Sequence, residues 1–268
     1  MRFPPHYQPF VHRDSNTIME KQNIYAFYFL NMAQRDLYHN LRNAVSENTQ
    51  YVPVRHLSVA EINTTIKALL TDSPEFFWFE GKWTMDKMDN QTIMLPVYTY
   101  DSKTRLDLQH AINDEITKII ISLPDSASLY ERYRHIFDWI VSNVKYDMSL
   151  GYGQTACDAL IGKHAVCKGI SKSFQLILEK MNCFSTLQGG TLDGKARHVW
   201  NVVEIDRNYY NVDVCMGYEH FSYLFDESQR NNRYRCFVVS DASLAATHRL
   251  FPMPWPSLDC KNQFQGVN

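Results

Sequence analysis

The stretch His198-Val-Trp-Asn-Val-Val-Glu-Ile-Asp-Arg-Asn-Tyr-Tyr-Asn-Val-Asp213 reads as two strands joined by a turn. Val199, Asn201, Val203 and Ile205 alternate with Trp200 and Val202, the period-two pattern of a strand with one face in a core and one exposed. Asp206-Arg-Asn-Tyr209 supplies the hairpin turn, and a second strand follows over residues 209–214. Antiparallel pairing about that turn puts the symmetric centre of His198 and Asp213 between residues 205 and 206. The two side chains are then expected to face one another across the ladder.

Working upstream, HAVCKGISKSFQLILEKM (residues 164–181) carries Ile170, Phe174, Ile177, Leu178 and Met181 at helical spacing. This predicts a buried helix beginning near Cys167, set off by Gly162 and preceded by a glycine-containing loop at 151–154 and a short helix over 156–161. Further strands are expected over 184–189 and 234–239. Ser240 or Asp241 caps a last short helix running to about His248, and Pro252, Pro254 and Pro256 mark an irregular tail.

The first half of the chain has a different texture. Three prolines in residues 1–10 suggest a surface arm, and a helical pattern runs over residues 17–45. Ser58 and Glu61 form a capping box, as do Ser128 and Glu131. Helices are expected after both, and a third over 105–123. Phe76, Phe77, Trp78 and Phe79 read as aromatics buried between layers, and a hairpin turns at 89–91 with Pro96 in an edge strand. No Gly/Ser-rich linker interrupts the chain. Residues 1–124 are therefore read as a mainly helical region with a short hairpin, packed on a core formed by 125–268.

Composition sets outer limits. The 268 residues are 45% hydrophobic and 13% aromatic with a net charge of -2, which excludes collagen-like and charged disordered classes. So balanced a charge gives no footing for a nucleic-acid partner. No run is long and apolar enough to span a bilayer, and residues 1–10 lack the apolar centre of a signal peptide, so a cytoplasmic protein without a membrane partner is expected. Six cysteines with no CxxC pair fit neither a disulfide scaffold nor a zinc ribbon, and no metal ligand set is assigned.

One cysteine differs from the rest by its position. Cys167 stands at a helix start, where free amides and the positive end of the macrodipole stabilise a thiolate. Gly169 leaves room for close approach to that first turn. His198 opens its strand beside the polar segment 189–197, in a place suited to proton transfer, and Asp213 can orient its ring. The bland alternatives are a buried structural thiol, a surface histidine and an aspartate capping a turn.

Cys167-Lys-Gly169 after Gly162 and Val166, then His198-Val-Trp200-Asn201, then Tyr210-Asn-Val-Asp213, resembles the transglutaminase-like superfamily over roughly residues 133–248. The stretch 221–248, with Ser240, Asp241 and His248, is similar to the distal segment of bacterial members. The resemblance implies an α+β, papain-like transglutaminase core, with the nucleophile helix packed on an antiparallel sheet and an N-terminal mainly helical region. It implies Cys167 as nucleophile, His198 as base and Asp213 as its orienting partner. Gln154 and Trp200 are expected at the oxyanion hole or cleft. Val214-Cys215-Met216 departs from the Thr-Trp that members commonly carry after the aspartate.

The chemistry expected is thiol-dependent acyl transfer on peptide or glutamine amides, hydrolysis before cross-linking, on a peptide or protein substrate and with no cofactor. Two alternatives stand beside it: a protein-glutamine transglutaminase, and a non-catalytic peptide- or partner-binding module that retains the triad. Arylamine acetyl transfer fits the spacing less well.

Overall fold

Residues 24–88, 91–149 and 153–265 are described by the computed structural model. The arm expected over 1–10, the start of the helix expected from 17, residues 89–90 of the hairpin turn and 151–152 of the glycine loop lie outside these residues. The chain divides into two units, Met1–Leu106 and Asp107–Asn268.

In the first unit, the single helix expected over 17–45 is broken. A 3₁₀ turn, Ala26–Phe29, precedes α1 (Met32–Glu47), with Leu30 extended between them. The cause is a buried carboxylate: Asp72 accepts the backbone amides of Tyr25, Ala26 and Phe27 at 2.9–3.0 Å. Asn31 and Gln34 then start α1 with a reciprocal capping box. After β1 (Val52–Val54), the Ser58–Glu61 box starts α2 (Val59–Asp72) as expected, burying Ile62, Ile66 and Leu69. β2 (Phe79–Met88) and β3 (Gln91–Tyr98) complete an antiparallel sheet in the order β1-β3-β2. Pro96 therefore lies in the central strand, not an edge strand. It is tolerated because β1 pairs only with Thr92–Met94, leaving β3 locally unpaired on that side at Pro96. Phe76 to Phe79 are 1–3% exposed and belong to the core. α3 (Ser102–Ile121) follows and crosses into the second unit.

In the second unit α3 is followed by α4 (Leu129–Asn143), started by the Ser128–Glu131 box. β4 (Lys145–Tyr146) pairs in parallel with β5 (His164–Ala165), on either side of α5 (Ala156–Leu160). α6 (Cys167–Lys180) lies against β6 (Ser185–Leu192) and β7 (Ala196–Ile205). β8 (Asn208–Val212) leads through two 3₁₀ turns, Val214–Gly217 and Glu219–Leu224, to α7 (Glu227–Arg230). β9 (Phe237–Val239), α8 (Asp241–Leu244) and β10 (His248–Leu250) close the chain. The sheet is antiparallel, in the order β10-β6-β7-β8-β9. An antiparallel sheet flanked by helices is an α+β architecture.

Three details differ from the sequence reading. Ser240 caps α8, but the helix stops at Leu244 and His248 begins a strand. β7 has no exposed face: Trp200, Asn201, Val202 and Val203 are at most 2% exposed. Asn201 turns toward α6 and donates to the Ser171 carbonyl, while Trp200 meets the His248 ring edge-on on the other face. The hairpin turn is also tighter than expected. Asp206 and Arg207 both have positive φ, and Ile205 pairs with Asn208.

Candidate functional site

The tight turn sets the register, and the register places the site. The last pair of the ladder is Asn201 with Val212, so His198 and Asp213 are not cross-strand partners. Asp213 stands just beyond β8, where its Oδ1 accepts the Cys215 amide at 2.9 Å and starts the first 3₁₀ turn. That cap aims the second carboxylate oxygen back over the sheet. Oδ2 accepts from His198 Nε2 at 2.7 Å and from His248 Nε2 at 2.8 Å.

His248 reaches this oxygen from edge strand β10, across β6. The crossing needs Gly190, which pairs with His198 on one side and Leu250 on the other. A Cβ at Gly190 would stand 2.7 Å from Trp200 Cη2. With no side chain there, the Trp200 ring lies over β6 and packs 4.9 Å from His248, centroid to centroid. Trp200 is itself fixed by Nε1 donating to Asn211 Oδ1 at 2.9 Å. Thr247 Oγ1 holds the outer face of His248, 2.8 Å from Nδ1.

All three side chains are sealed: His198 is 1% exposed, His248 2% and Asp213 0%. Burial alone would discharge His198, but the Asp213 carboxylate outweighs it, with a lesser contribution from the Cys167 thiol, and the imidazole pKa is pushed up to about 10. Burial likewise opposes ionisation of Asp213, and the two imidazoles overcome it, holding the carboxyl well below its ordinary range. An imidazole–carboxylate–imidazole unit of this kind is an electrostatic brace inside the sheet.

Cys167 is the first residue of α6, half-buried, behind an N-cap residue, Val166, whose side chain caps nothing. Gly169 admits a close approach as expected, but the groups that approach are backbone carbonyls. A Cβ there would stand 2.4 Å from the Gly153 oxygen and 2.9 Å from that of Thr155. Gln154 is exposed in the preceding loop, and Trp200 is fully buried. Cys215, beside Asp213, is also fully buried, and burial pushes its thiol up.

These placements correct the chemical expectation. The His, Asp, Glu and Cys side chains that the described residues gather within 4.8 Å of one another are His198, Asp213 and His248, and no cysteine belongs to that group. Asp213 is not an orienting partner dedicated to one base; a single oxygen serves two sealed rings. The cysteine nucleophile, the Cys-His-Asp triad and thiol-dependent acyl transfer are therefore not carried forward, in either the hydrolytic or the cross-linking form. The part played by His248 escaped the sequence reading, which placed it at the end of a short helix: it opens a three-residue strand, 35 residues beyond Asp213.

The same unit offers a surface site. A cleft of about 570 Å³ runs between the end of α4, the β4–β5 pair and the second 3₁₀ turn, lined by Lys145, Tyr146, Lys163, His164, Tyr218 and His220 among others. Its aromatic wall is continuous: Tyr146 stacks on His220 at 5.9 Å and lies 6.1 Å from Tyr218. Tyr218 is anchored by its hydroxyl, which donates to the Val144 carbonyl at 2.9 Å. Asp147 binds His164 and Lys145 at 3.3 and 3.4 Å, and Glu115 binds Lys163 at 2.6 Å, which fixes the basic rim in place.

No helix among the described residues is long and apolar enough to cross a membrane. No family model matches the chain, and no curated protein matches its sequence. Among solved structures, the chain is similar to a TGase, at 11% identity with a TM-score of 0.37 over 50% of this chain and 44% of that one. It is similar also to a "Putative Cysteine Protease from Cytophaga hutchinsonii", at 13% identity with a TM-score of 0.35 over 50% of this chain and 61% of that one. The likeness to both is weak and partial, and the chain spans less than two thirds of the length of either.

Proposed function

We propose that this chain is a non-catalytic peptide- or partner-binding module, built on a papain-like transglutaminase core at 125–268 with a mainly helical region at 1–124. The observation that carries the reading is the sealed cluster: the histidine expected to move protons is 1% exposed and shares its carboxylate with a second histidine. A base that must take a proton from a nucleophile and return it to a leaving group needs access to both. A buried brace needs none, and it stiffens the sheet beside the cleft. On this reading Cys167, His198 and Asp213 are retained as framework, with Gln154 exposed in the loop before α5 and Trp200 in the interior. The cleft wall of Tyr146, Tyr218 and His220 is the contact surface, since aromatic side chains supply large contact area at low entropic cost. A reducing, cytoplasmic setting is part of the proposal, in keeping with six free thiols.

The test is selection of short peptides on the full chain from a displayed library, followed by calorimetry and intact-mass analysis of the selected peptides. The expected result is saturable binding with no change in peptide mass, kept in Cys167→Ser and weakened at least tenfold in Tyr146→Ala. A peptide that is cleaved, or that becomes linked to the chain through Cys167, would overturn the reading. So would the failure of every peptide to bind.

A further inference from the structure

We infer that His198, Asp213 and His248 form a binding site for one divalent transition-metal ion of the zinc class. Two imidazole Nε2 atoms and one carboxylate oxygen meet within 4.8 Å, from β7, the end of β8 and β10. Two nitrogens and one oxygen are a donor set that suits zinc, and the wrong set for calcium or magnesium, which take oxygen.

Two of the three donors are held from behind, as metal ligands are. Thr247 Oγ1 lies 2.8 Å from His248 Nδ1, and the Cys215 amide donates to Asp213 Oδ1 at 2.9 Å, leaving Oδ2 directed at the rings. Aromatic rings flank the cluster, with Trp200 edge-on to His248 and Phe221 6.4 Å from His198, and the Cys167 thiol adjoins His198. Gly190 supplies the opening through which His248 reaches the other two ligands.

The present Nε2–Oδ2 separations of 2.7 and 2.8 Å are hydrogen-bond lengths. Donors about 2.0–2.1 Å from a tetrahedral ion stand roughly 3.3 Å apart. Seating the ion thus lengthens each Nε2–Oδ2 separation by about half an ångström, and the two Nε2 atoms, which lie within 4.8 Å of one another, turn to the same spacing through rotation of the rings. Both Nε2 protons leave for solvent as the two nitrogen lone pairs turn to the ion. Burial and the chain separation of the ligands make the ion a clamp: it ties edge strand β10 to the centre of the sheet.

The experiment is equilibrium dialysis of the full chain against zinc chloride after chelator treatment, read by elemental analysis, with cobalt chloride as a spectroscopic substitute. The expected result is one zinc retained per chain, a visible cobalt absorption of low-symmetry coordination, and a rise in melting temperature with zinc. His248→Asn should abolish retention, and Thr247→Val should weaken it about tenfold, as loss of an outer partner does. Circular dichroism of each variant checks that it is folded. Retention of no zinc by the folded wild-type chain overturns the inference and leaves the cluster a hydrogen-bonded brace. Equal retention by folded His248→Asn and Asp213→Asn also overturns it, because the metal would then sit elsewhere.

Discussion

Trp200 Nε1 donates to Asn211 Oδ1 at 2.9 Å, both residues at most 2% exposed, so the largest side chain beside the candidate site hangs on one amide. The same amide donates through Nδ2 to Asp241 Oδ1 at 2.8 Å, which joins β8 to the first residue of α8. Asn211→Leu strands the indole N–H inside the protein and removes one partner of the half-buried Asp241 carboxylate. Leaving a buried donor unmade costs about 1–3 kcal/mol. Urea unfolding should show a loss in that range, and Trp200→Phe combined with Asn211→Leu should lose less than the two single variants added together. Additive losses would mean that the pair is not coupled.

Gly190 is required by space rather than by backbone angle. A Cβ there would approach the Arg249 carbonyl oxygen to 2.2 Å as well as Trp200 Cη2 to 2.7 Å. Gly190→Ala must therefore push β10 away or turn the indole, and overpacking of this kind typically costs about 1–3 kcal/mol. Gly194 is the control: its φ is +67° but nothing lies within 4 Å of its would-be Cβ. Gly194→Ala should cost about 1 kcal/mol from backbone strain alone. A thermal shift from Gly190→Ala no larger than that from Gly194→Ala would refute the crossing of β6 by the Trp200 and His248 rings.

Much of the fold was legible because its signals are local. Ser58 and Ser128 each stand three residues ahead of a glutamate and an apolar periodic run, and both boxes form with both hydrogen bonds present. Each serine replaced by alanine should cost about 1 kcal/mol in a thermal or urea melt, and a smaller effect than about 0.3 kcal/mol at either would show that the box adds nothing to that helix. The strand pattern about Trp200 was legible for the same reason. What was not legible depended on contacts distant in the chain. The break before α1 is made by Asp72, more than 40 residues away, and the second histidine at Asp213 arrives from β10. The error over the facing of His198 and Asp213 came from one turn. Asp206 and Arg207 both adopt the left-handed region and form a two-residue loop, and the pair Ile205–Asn208 centres the hairpin between residues 206 and 207, one position past the centre that facing would need.

Acid stability should carry the mark of Glu115. Its Nζ partner, Lys163, binds it at 2.6 Å and also lies 4.5 Å over the Trp139 ring, joining α3, α4 and the approach to β5. The hydrogen bond from Lys163 holds the Glu115 carboxyl below its ordinary value. A folded-state pKa lower than the unfolded one stabilises above the unfolded value, about 4.3, and the gain disappears as pH falls through the folded value. The pair is partly exposed, so the gain is small, about 1 kcal/mol or less. Melting temperature measured from pH 7 down to 3 should fall more steeply in the wild type than in Glu115→Gln, with the two curves converging at the acid end. Parallel curves would show that the pair contributes nothing.

Asp72 is the residue whose loss should cost the first unit most. It is fully buried, and its two oxygens accept three consecutive backbone amides, from Tyr25, Ala26 and Phe27, with the Tyr38 hydroxyl 3.4 Å from Oδ2. Burial and the Asp72 charge both push the Tyr38 phenol well above its ordinary value, so that hydroxyl stays a donor. Hydrogen bonds to a charged acceptor contribute about 1.5–3 kcal/mol each, and an amide left unmade in the interior costs about as much as it gains. Asp72→Ala removes the acceptor of all three amides at once, so a loss of about 3 kcal/mol or more is expected. Asp72→Asn keeps the shape and one good acceptor, and should recover part of it. Because the three amides close the turn before α1, hydrogen exchange at Tyr25, Ala26 and Phe27 should quicken in Asp72→Ala by a larger factor than exchange at the centre of α2. Equal quickening at both places would mean that Asp72 supports the unit as a whole and does not act as the stop that separates the 3₁₀ turn from α1.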